Sequence, residues 1–220
     1  MADELPTQEK KERIASAAYR LFLQKGYKAT SMADIAQLSG FSKSLVQKHF
    51  KKKEAFIVGF LEALLNGIDE SLTSRGLKTD NYWSNLYLIG QLHYAFLLED
   101  DGKRQLLMDI ISNRQLTEAM IELDVNWAFQ YMHSFSEDEK EALLDNMAIA
   151  MGGTYELLYR MLGQGRAIDL ATFQRTSLSL TMYLQGMSPE DADAVFGVRS
   201  LSEDDIAEVL AFLNESFGNE

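Results

Sequence analysis

Four polar residues near the amino terminus have the types and the spacing needed to bind a nucleic acid. Lys43, Ser44, Gln47 and Lys48 fall on one half of a helix when successive residues are placed about 100° apart. Lysine ammonium groups bind phosphate, and glutamine and serine can hydrogen-bond phosphate oxygens or base edges in the DNA major groove. The opposite half is mainly apolar, which predicts a short helix over about 43–50 that packs on one side and presents a cationic side outward.

An ordinary solvated helix would share this pattern, so the preceding segments decide between the two interpretations. A first helix is predicted over residues 7–25, where apolar residues recur three to four positions apart. A second, short helix follows Thr30 and Ser31, whose hydroxyls can accept hydrogen bonds from the free amides of its first turn. Gly40 then allows the left-handed conformation of a tight turn. Helices in this order, joined by a glycine turn, predict a helix-turn-helix DNA-binding unit.

Charge is divided unevenly along the 220-residue chain, whose formal net charge is −12. Residues 1–56 contain 11 Lys or Arg and 6 Asp or Glu, a net charge of +5, whereas residues 57–220 contain 10 and 27, a net charge of −17. A basic head on an acidic body is typical of a polyanion-binding module joined to a part that stays off the polyanion. For the body, an acidic surface that serves solubility alone is the alternative.

The amino-terminal segment resembles the signature of the TetR family of transcriptional regulators over about residues 8–68. The resemblance is carried by Arg13-Ile14, Ala17-Ala18, Leu21-Phe22, Gly26-Tyr27, Thr30-Ser31-Met32, Ile35-Ala36, Ser39-Gly40-Phe41-Ser42-Lys43, His49-Phe50 and Lys53-Glu54. It implies that residues 31–50 form the helix-turn-helix and that the helix near 43–50 enters the major groove. In one departure, the family usually has Tyr where this chain has Gln47, and often an aromatic residue at Lys48. We expect Gln47 to reach a base edge or a phosphate instead.

Eight residues are therefore predicted to contact double-stranded DNA: Thr30, Ser31, Ser42, Lys43, Ser44, Gln47, Lys48 and Lys53. Thr30, Ser31 and Ser42 stand at helix starts, where they can hold phosphate or serve only as caps. Lys53 resembles a phosphate-contacting lysine of the family. His49 lies on the inner half of its helix, where we expect a packed histidine.

The remainder of the chain is predicted to be helical throughout. A long helix at about 53–74 connects the parts, and further helices are expected at about 81–99, 103–115, 118–133, 137–162, 168–185 and 203–217. No useful strand alternation is present. The predicted fold is all-α, with an amino-terminal three-helix domain (8–68) continuous with a larger helical bundle (69–220) for effector binding and dimerisation.

The resemblance further implies a small-molecule effector pocket, walled by the helix from 53 and its next three partners, and dimerisation through two late helices. The predicted effector-binding residues are aromatic, methionine or histidine: Trp83, Tyr87, His93, Tyr94, Phe96, Met108, Trp127, Tyr131, Met151 and Tyr155, with Tyr159 as a further candidate. Such residues at helical spacing are also typical of a core, and core packing is the alternative for each.

Composition gives little support for an enzyme. The chain has no cysteine, three histidines and no glycine loop placed to hold a phosphate, so no catalytic residue, metal site or cofactor is predicted. The acidic start does not resemble a secretion signal, and no apolar run approaches the roughly 20 residues of a membrane span. We therefore expect a cytoplasmic protein with no membrane partner.

These features together predict a TetR-like transcriptional regulator, expected to be a repressor. It would bind a near-palindromic operator as a homodimer and be released by a small-molecule effector. The alternative is a helical protein-interaction adaptor with a vestigial DNA-binding head. The absence of the usual Tyr at Gln47 favours that alternative, whereas the basic charge of the head opposes it.

Overall fold

The computed structural model describes residues 5–129 and 137–218, and over these residues the predicted all-α class is confirmed. The helices, in chain order, are α1 (Thr7–Lys25), α2 (Met32–Ser39), α3 (Lys43–His49), α4 (Glu54–Ser74), α5 (Tyr82–Leu97), α6 (Asp101–Ile111), α7 (Arg114–Phe129), α8 (Glu137–Gly163), α9 (Leu170–Leu184), α10 (Pro189–Val198) and α11 (Glu203–Gly218).

Helices α1, α2 and α3 form the head around a small apolar centre. Ile14, Phe22, Ile35 and Val46 are fully buried there and come from all three helices. Side chains of this kind drive packing because their removal from water stabilises the fold in proportion to the apolar area buried. Phe22 also meets Phe56 of α4 edge to face, with ring centroids 6.4 Å apart. The head therefore packs directly on the next helix.

Helix α4 belongs to both the head and the body. Its buried stripe consists of Phe56, Ile57, Phe60, Leu61, Leu64, Leu65, Ile68 and Leu72. The residues at its start pack with the head, and those further along pack with the body in the same continuous apolar core. The predicted boundary at residues 68 and 69 falls inside α4, so the two parts share this helix rather than a linker.

The break between α6 and α7 differs from the sequence prediction. It lies at residues 112–113, about four residues before the expected position. The Asn113 side chain accepts hydrogen bonds from the backbone N–H groups of Gln115 (3.1 Å) and Leu116 (3.4 Å), which starts α7 there. The prediction was wrong because it gave Asn113 no role as a helix cap.

None of the helices in the described part of the chain is long and apolar enough to span a membrane.

Candidate DNA-binding face and interior cavity

The outward face of α3 carries the residues that the sequence placed there. Lys43, Ser44, Gln47 and Lys48 are exposed, whereas Val46 on the opposite side is fully buried. The helix is therefore anchored by its apolar side, and four polar side chains point to solvent from a rigid base. This arrangement can meet a polyanion through two ammonium groups, and the Gln47 amide and the Ser44 hydroxyl, which also bonds the Ser42 hydroxyl at 3.0 Å, can bond base edges.

The turn before α3 sets the direction in which that face points. Gly40 has φ 74°, in the left-handed region that favours glycine. The guanidinium of Arg13 lies 5.6 Å from the centre of the Phe41 ring, which holds the turn against α1. Ser42 then caps α3, because its Oγ accepts from the backbone N–H of Leu45 at 3.3 Å. Ser42 is itself exposed, so the cap lies beside the outward face.

Ser31 starts α2 through a reciprocal pair of hydrogen bonds. Its Oγ accepts from the Asp34 backbone N–H at 3.1 Å, and the Asp34 carboxylate accepts from the Ser31 backbone N–H at 2.8 Å. The hydrogen bond from the Ser31 backbone, and then that from Lys25, lower the pKa of Asp34 to about 2. Ser31 is exposed, and the capping box engages its own backbone amide and the Asp34 amide of the first turn.

Thr30 and Lys53, two of the predicted DNA contacts, bond inside the head. Thr30 is 1% exposed, and its hydroxyl donates to the Gly26 carbonyl at 2.9 Å. The Lys53 ammonium donates to the carbonyls of Tyr27 (2.7 Å) and Thr30 (2.8 Å). It also lies 3.8 Å from the centre of the Tyr27 ring. Both residues tie the α1–α2 connection to the start of α4, and desolvation lowers the pKa of Lys53.

A buried carboxylate on α6 fastens the head to the body. Asp109 is 1% exposed and accepts from the backbone N–H of Lys28 at 2.8 Å and from Gln105 Nε2 at 2.9 Å. The Lys28 ammonium lies 3.7 Å from the same carboxylate and donates to Ser112 at 2.9 Å. The sequence analysis missed this joint, because its partners are separated by 81 residues.

The first turn of α6 lies directly on the end of α1. A Cβ added to Gly102 would overlap the backbone carbonyl oxygen of Leu23. Glycine is therefore required here for close approach rather than for an unusual dihedral angle. Together with Asp109, this contact makes α6 a second connection between head and body, beside α4.

A partly open cavity of about 120 Å³ lies between five helices of the body. Its wall is formed by Leu65 of α4, Leu86, Ile89, Gly90, His93 and Tyr94 of α5, Asp124 and Trp127 of α7, Met147 and Met151 of α8, and Gln174, Ser177, Leu178 and Thr181 of α9. The sequence analysis expected α4 and its next three partners to wall an effector pocket. None of the residues described along the wall comes from α6, and α8 and α9 take its place.

The cavity brings together four of the predicted effector residues, His93, Tyr94, Trp127 and Met151. Five other described candidates lie off the wall: Trp83, Tyr87, Phe96, Met108 and Tyr155. Tyr131 lies outside the described residues.

The candidates off the wall have packing partners of their own. Tyr87 meets Phe196 of α10 with ring centroids 4.9 Å apart, and Phe96 meets Phe217 of α11 at 5.7 Å. Tyr155 is buried behind the wall, whereas Tyr159 is 43% exposed on α8.

The polar wall residues Asp124 and Gln174 were missed by the sequence analysis. Burial raises the pKa of Asp124 to about 7, and the Tyr155 hydroxyl, which donates to its carboxyl at 3.3 Å, opposes that rise. Burial also lowers the pKa of His93 to about 4, so this imidazole is neutral at neutral pH. An available signal was the spacing of Met120, Asp124 and Trp127, which puts an acid on the buried face of α7.

The sequence of the amino-terminal segment matches a known protein family. The family described as "Bacterial regulatory proteins, tetR family" matches residues 14–58. YerO of Bacillus subtilis (strain 168), an uncharacterized HTH-type transcriptional regulator, is 46% identical over 54 residues, which are 24% of this chain and 19% of YerO. YvkB, a regulator of the same description and organism, is 31% identical over 127 residues, 57% of this chain and 61% of YvkB. The chain therefore spans less than two thirds of either relative.

One solved structure extends the likeness to the body. It is that of SmeT, the repressor of the Stenotrophomonas maltophilia multidrug efflux pump SmeDEF, with a TM-score of 0.50 and 16% identity. The similarity covers 83% of this chain and 91% of SmeT, and at this identity it shows a shared fold. Both relatives are described as transcriptional regulators rather than as enzymes. The matched residues 14–58 are those that build and anchor the exposed face of α3, so over this amino-terminal segment the chain belongs with the TetR family of bacterial regulatory proteins.

Proposed function

We propose that the protein is a transcriptional repressor that binds DNA through α3 and is released by a small molecule in the body cavity. The observation that carries the proposal is the exposed set Lys43, Ser44, Gln47 and Lys48 on a helix whose opposite side is buried. The lysines would bond phosphate, and Gln47 and Ser44 would read base edges. Ser31 and Ser42 and their helix starts stand at the edge of this surface and would hold flanking phosphates.

Two copies are needed to read a near-palindromic operator, and α8 and α9 offer the surface for pairing. Large apolar side chains are exposed on both helices: Leu144, Ile149, Leu157, Tyr159, Leu180 and Tyr183. Contiguous exposed apolar surface of this kind marks interaction sites. A dimer formed through these helices would hold two heads in a fixed relative position. The two heads would then enter major grooves that are roughly 34–36 Å apart, or a multiple of that distance.

Release would follow if the effector binds better to a conformation in which the heads have the wrong spacing. Such a ligand shifts the equilibrium only by its difference in affinity for the two conformations. The cavity wall includes Leu65 of α4, the helix that both parts share. Helix α6 would carry the same shift through Asp109 and Gly102 to the end of α1. Action on chromosomal DNA would place the protein in the cytoplasm.

The proposal is tested by selecting bound fragments from the host genome and measuring gel shifts on those selected. We expect a sequence-selective shift that the double variant Lys43→Glu, Lys48→Glu abolishes. Arg199→Glu, a charge reversal on an exposed body residue, serves as the matched control and should retain the shift. No shift at low salt would overturn the proposal in favour of the helical adaptor.

The pairing surface is tested separately by light scattering. We expect a dimer for the full chain and a monomer for Ile149→Lys, because Ile149 is 59% exposed on α8 and a buried unpaired charge opposes association. A dimer that persists unchanged in Ile149→Lys would remove this part of α8 from the proposed interface.

A further inference from the structure

The cavity contains polar atoms that the protein itself leaves without partners. His93 Nδ1 and Gln174 Oε1 are buried and have no hydrogen bond to any described residue. Both residues are more than nine-tenths buried and both line the cavity. Buried polar groups in proteins are normally bonded, and the exceptions mark sites that a ligand or bound water completes.

The Gln174 amide lies directly over a glycine of the facing helix. A Cβ added to Gly90 of α5 would overlap that amide, so the glycine leaves the space that the amide occupies. Gln174 is 8% exposed, so its carbonyl oxygen is a buried acceptor at the wall rather than part of a surface side chain.

Asp124 gives the cavity a negative charge above its pKa of about 7. Within the described residues its carboxyl has one hydrogen-bond partner, the Tyr155 hydroxyl at 3.3 Å. The described wall contains no lysine or arginine, so no fixed cation neutralises the carboxylate. The other titratable groups around it are His93, Tyr94 and Tyr155. All three are neutral near pH 7, because burial lowers the pKa of the histidine and raises those of both tyrosines.

Apart from Ser177 and Thr181, the rest of the wall is apolar or aromatic, and the cavity is small. Leu65, Ile89, Met151 and Leu178 supply apolar surface, and Trp127 presents an indole whose Nε1 is held by Asn66 at 3.1 Å. A volume of about 120 Å³ is close to the roughly 150 Å³ of an apolar cavity known to take benzene. An aromatic wall beside a carboxylate favours a cation, since the ring face attracts positive charge.

We propose that the cavity binds a small protonated organic amine of about one ring in size. Its ammonium group bonds Asp124 and the Gln174 carbonyl oxygen, and its apolar part lies against the leucine, isoleucine and methionine side chains. Neutral His93 accepts a further N–H bond through Nδ1. An anion of the same size is repelled by Asp124, and a neutral isostere leaves the carboxylate without a counter-charge. The regulatory meaning of this ligand rests on the proposed function, whereas its binding does not.

The test uses three probes of matched shape and different charge. Benzylamine, benzyl alcohol and benzoate are titrated at pH 7.5 into Trp83→Phe protein, in which Trp127 is the remaining tryptophan and reports on the cavity. We expect benzylamine to change the Trp127 emission and to bind at least about tenfold more tightly than benzyl alcohol, with no binding of benzoate. Equal binding of the amine and the alcohol, binding of benzoate, or no binding of benzylamine would each overturn the proposal.

A pair of carboxyl-to-amide variants then locates the charge. Asp124→Asn should weaken benzylamine binding about tenfold or more and change benzyl alcohol binding less than about threefold. Glu122→Gln, an exposed position on the same helix, should leave both unchanged. Unaltered benzylamine binding in folded Asp124→Asn would overturn the assignment. The wild-type probe series decides the matter independently if Asp124→Asn does not fold.

A gel shift with added benzylamine separates this inference from the proposed function. Release of DNA supports both. Binding to the cavity with no effect on the DNA complex keeps the amine site and counts against effector release. Failure of the protein to shift any DNA leaves the fluorescence titration to decide the amine site by itself.

Discussion

The Asp109 carboxylate of α6 accepts a hydrogen bond of 2.8 Å from the backbone N–H of Lys28, in the connection that follows α1. Replacing Asp109 by alanine leaves this N–H and the Gln105 amide without their acceptor. We expect the free energy of unfolding to fall by about 1–3 kcal/mol in urea denaturation. Asp101→Ala, at a fully exposed carboxylate on the same helix, should change it by less than about 0.5 kcal/mol. Equal stability of Asp109→Ala and wild type would contradict the role of Asp109 in fastening the head to the body.

Gly102 permits backbone contact between α6 and the end of α1. Gly102→Ala would force its Cβ against the Leu23 carbonyl, and we expect a loss of about 1–3 kcal/mol of unfolding free energy. Gly197→Ala is the matched control because nothing lies within 4 Å of the Cβ it adds. That variant should gain up to about 1 kcal/mol from helix propensity. Thermal unfolding of both variants measures the contrast, and similar shifts would argue against the close approach.

Lys48 and Gln47 are neighbours on the outward face of α3 with different expected roles. Lys48→Ala should weaken binding to all sequences and reduce the slope of log K against log salt concentration by about 1, since one phosphate contact is lost. Gln47→Ala should retain the salt slope and alter preference at one or two base pairs. Binding titrations over a salt series, with Arg199→Ala as a control, test both. If both variants keep the wild-type salt slope and base-pair preference, α3 is not the helix that recognises the DNA sequence.

The raised pKa of Asp124 makes stability depend on pH. The folded carboxyl holds its proton up to about pH 7, whereas the unfolded one releases it near its ordinary value of 3.8. The contribution of Asp124 to stability should therefore fall as pH rises from about 4 to 7, by on the order of 2–4 kcal/mol. Asp124→Asn does not titrate, so its melting temperature should exceed that of wild type by more at pH 8 than at pH 5. A constant difference over this range would contradict the burial of the carboxyl.

His93 should produce the opposite dependence on the acid side. Its pKa is lowered from 6.5 to about 4, so the unfolded state takes up a proton first as the pH falls. Stability should therefore decrease between about pH 6.5 and 4, by up to roughly 3 kcal/mol from this group. His93→Gln should have a flatter acid limb when melting temperatures are measured from pH 7 to 4.5. If the melting temperature of His93→Gln falls as steeply with decreasing pH as that of wild type, the loss of stability in acid comes from other groups.

The sequence alone predicted those structural elements whose residue patterns lie within a few positions of one another. Ser31 and Gly40 mark the ends of α2 within a few residues, and the one-sided pattern of α3 predicted which side chains face outward. Local patterns could not separate a core residue from a cavity residue. Tyr94 and Phe96 are two positions apart on α5 and both are buried, yet the cavity touches only Tyr94.

The polar part of the site depends on distant segments. Asp124 and Gln174 are 50 positions apart, and their convergence depends on how α7 and α9 both pack against α8. Lys53 shows the same limit in the head, since its ammonium bonds carbonyls that lie 26 and 23 residues earlier. Such contacts come from tertiary packing, which the spacing of apolar residues along one helix does not specify.

The length of α4 has a mechanical consequence. Its 21 residues make a rod about 31 Å long, at roughly 1.5 Å per residue. A tilt of about 5° about one end of such a rod displaces the other by nearly 3 Å, close to the roughly 3.4 Å rise between successive base pairs along a DNA strand. Leu65 lies nine residues, about 13.5 Å, from the Ser74 end of α4. A bound molecule that tilted α4 about that end by moving Leu65 about 1.2 Å would therefore displace the head end by nearly 3 Å, close to the length of one base-pair step.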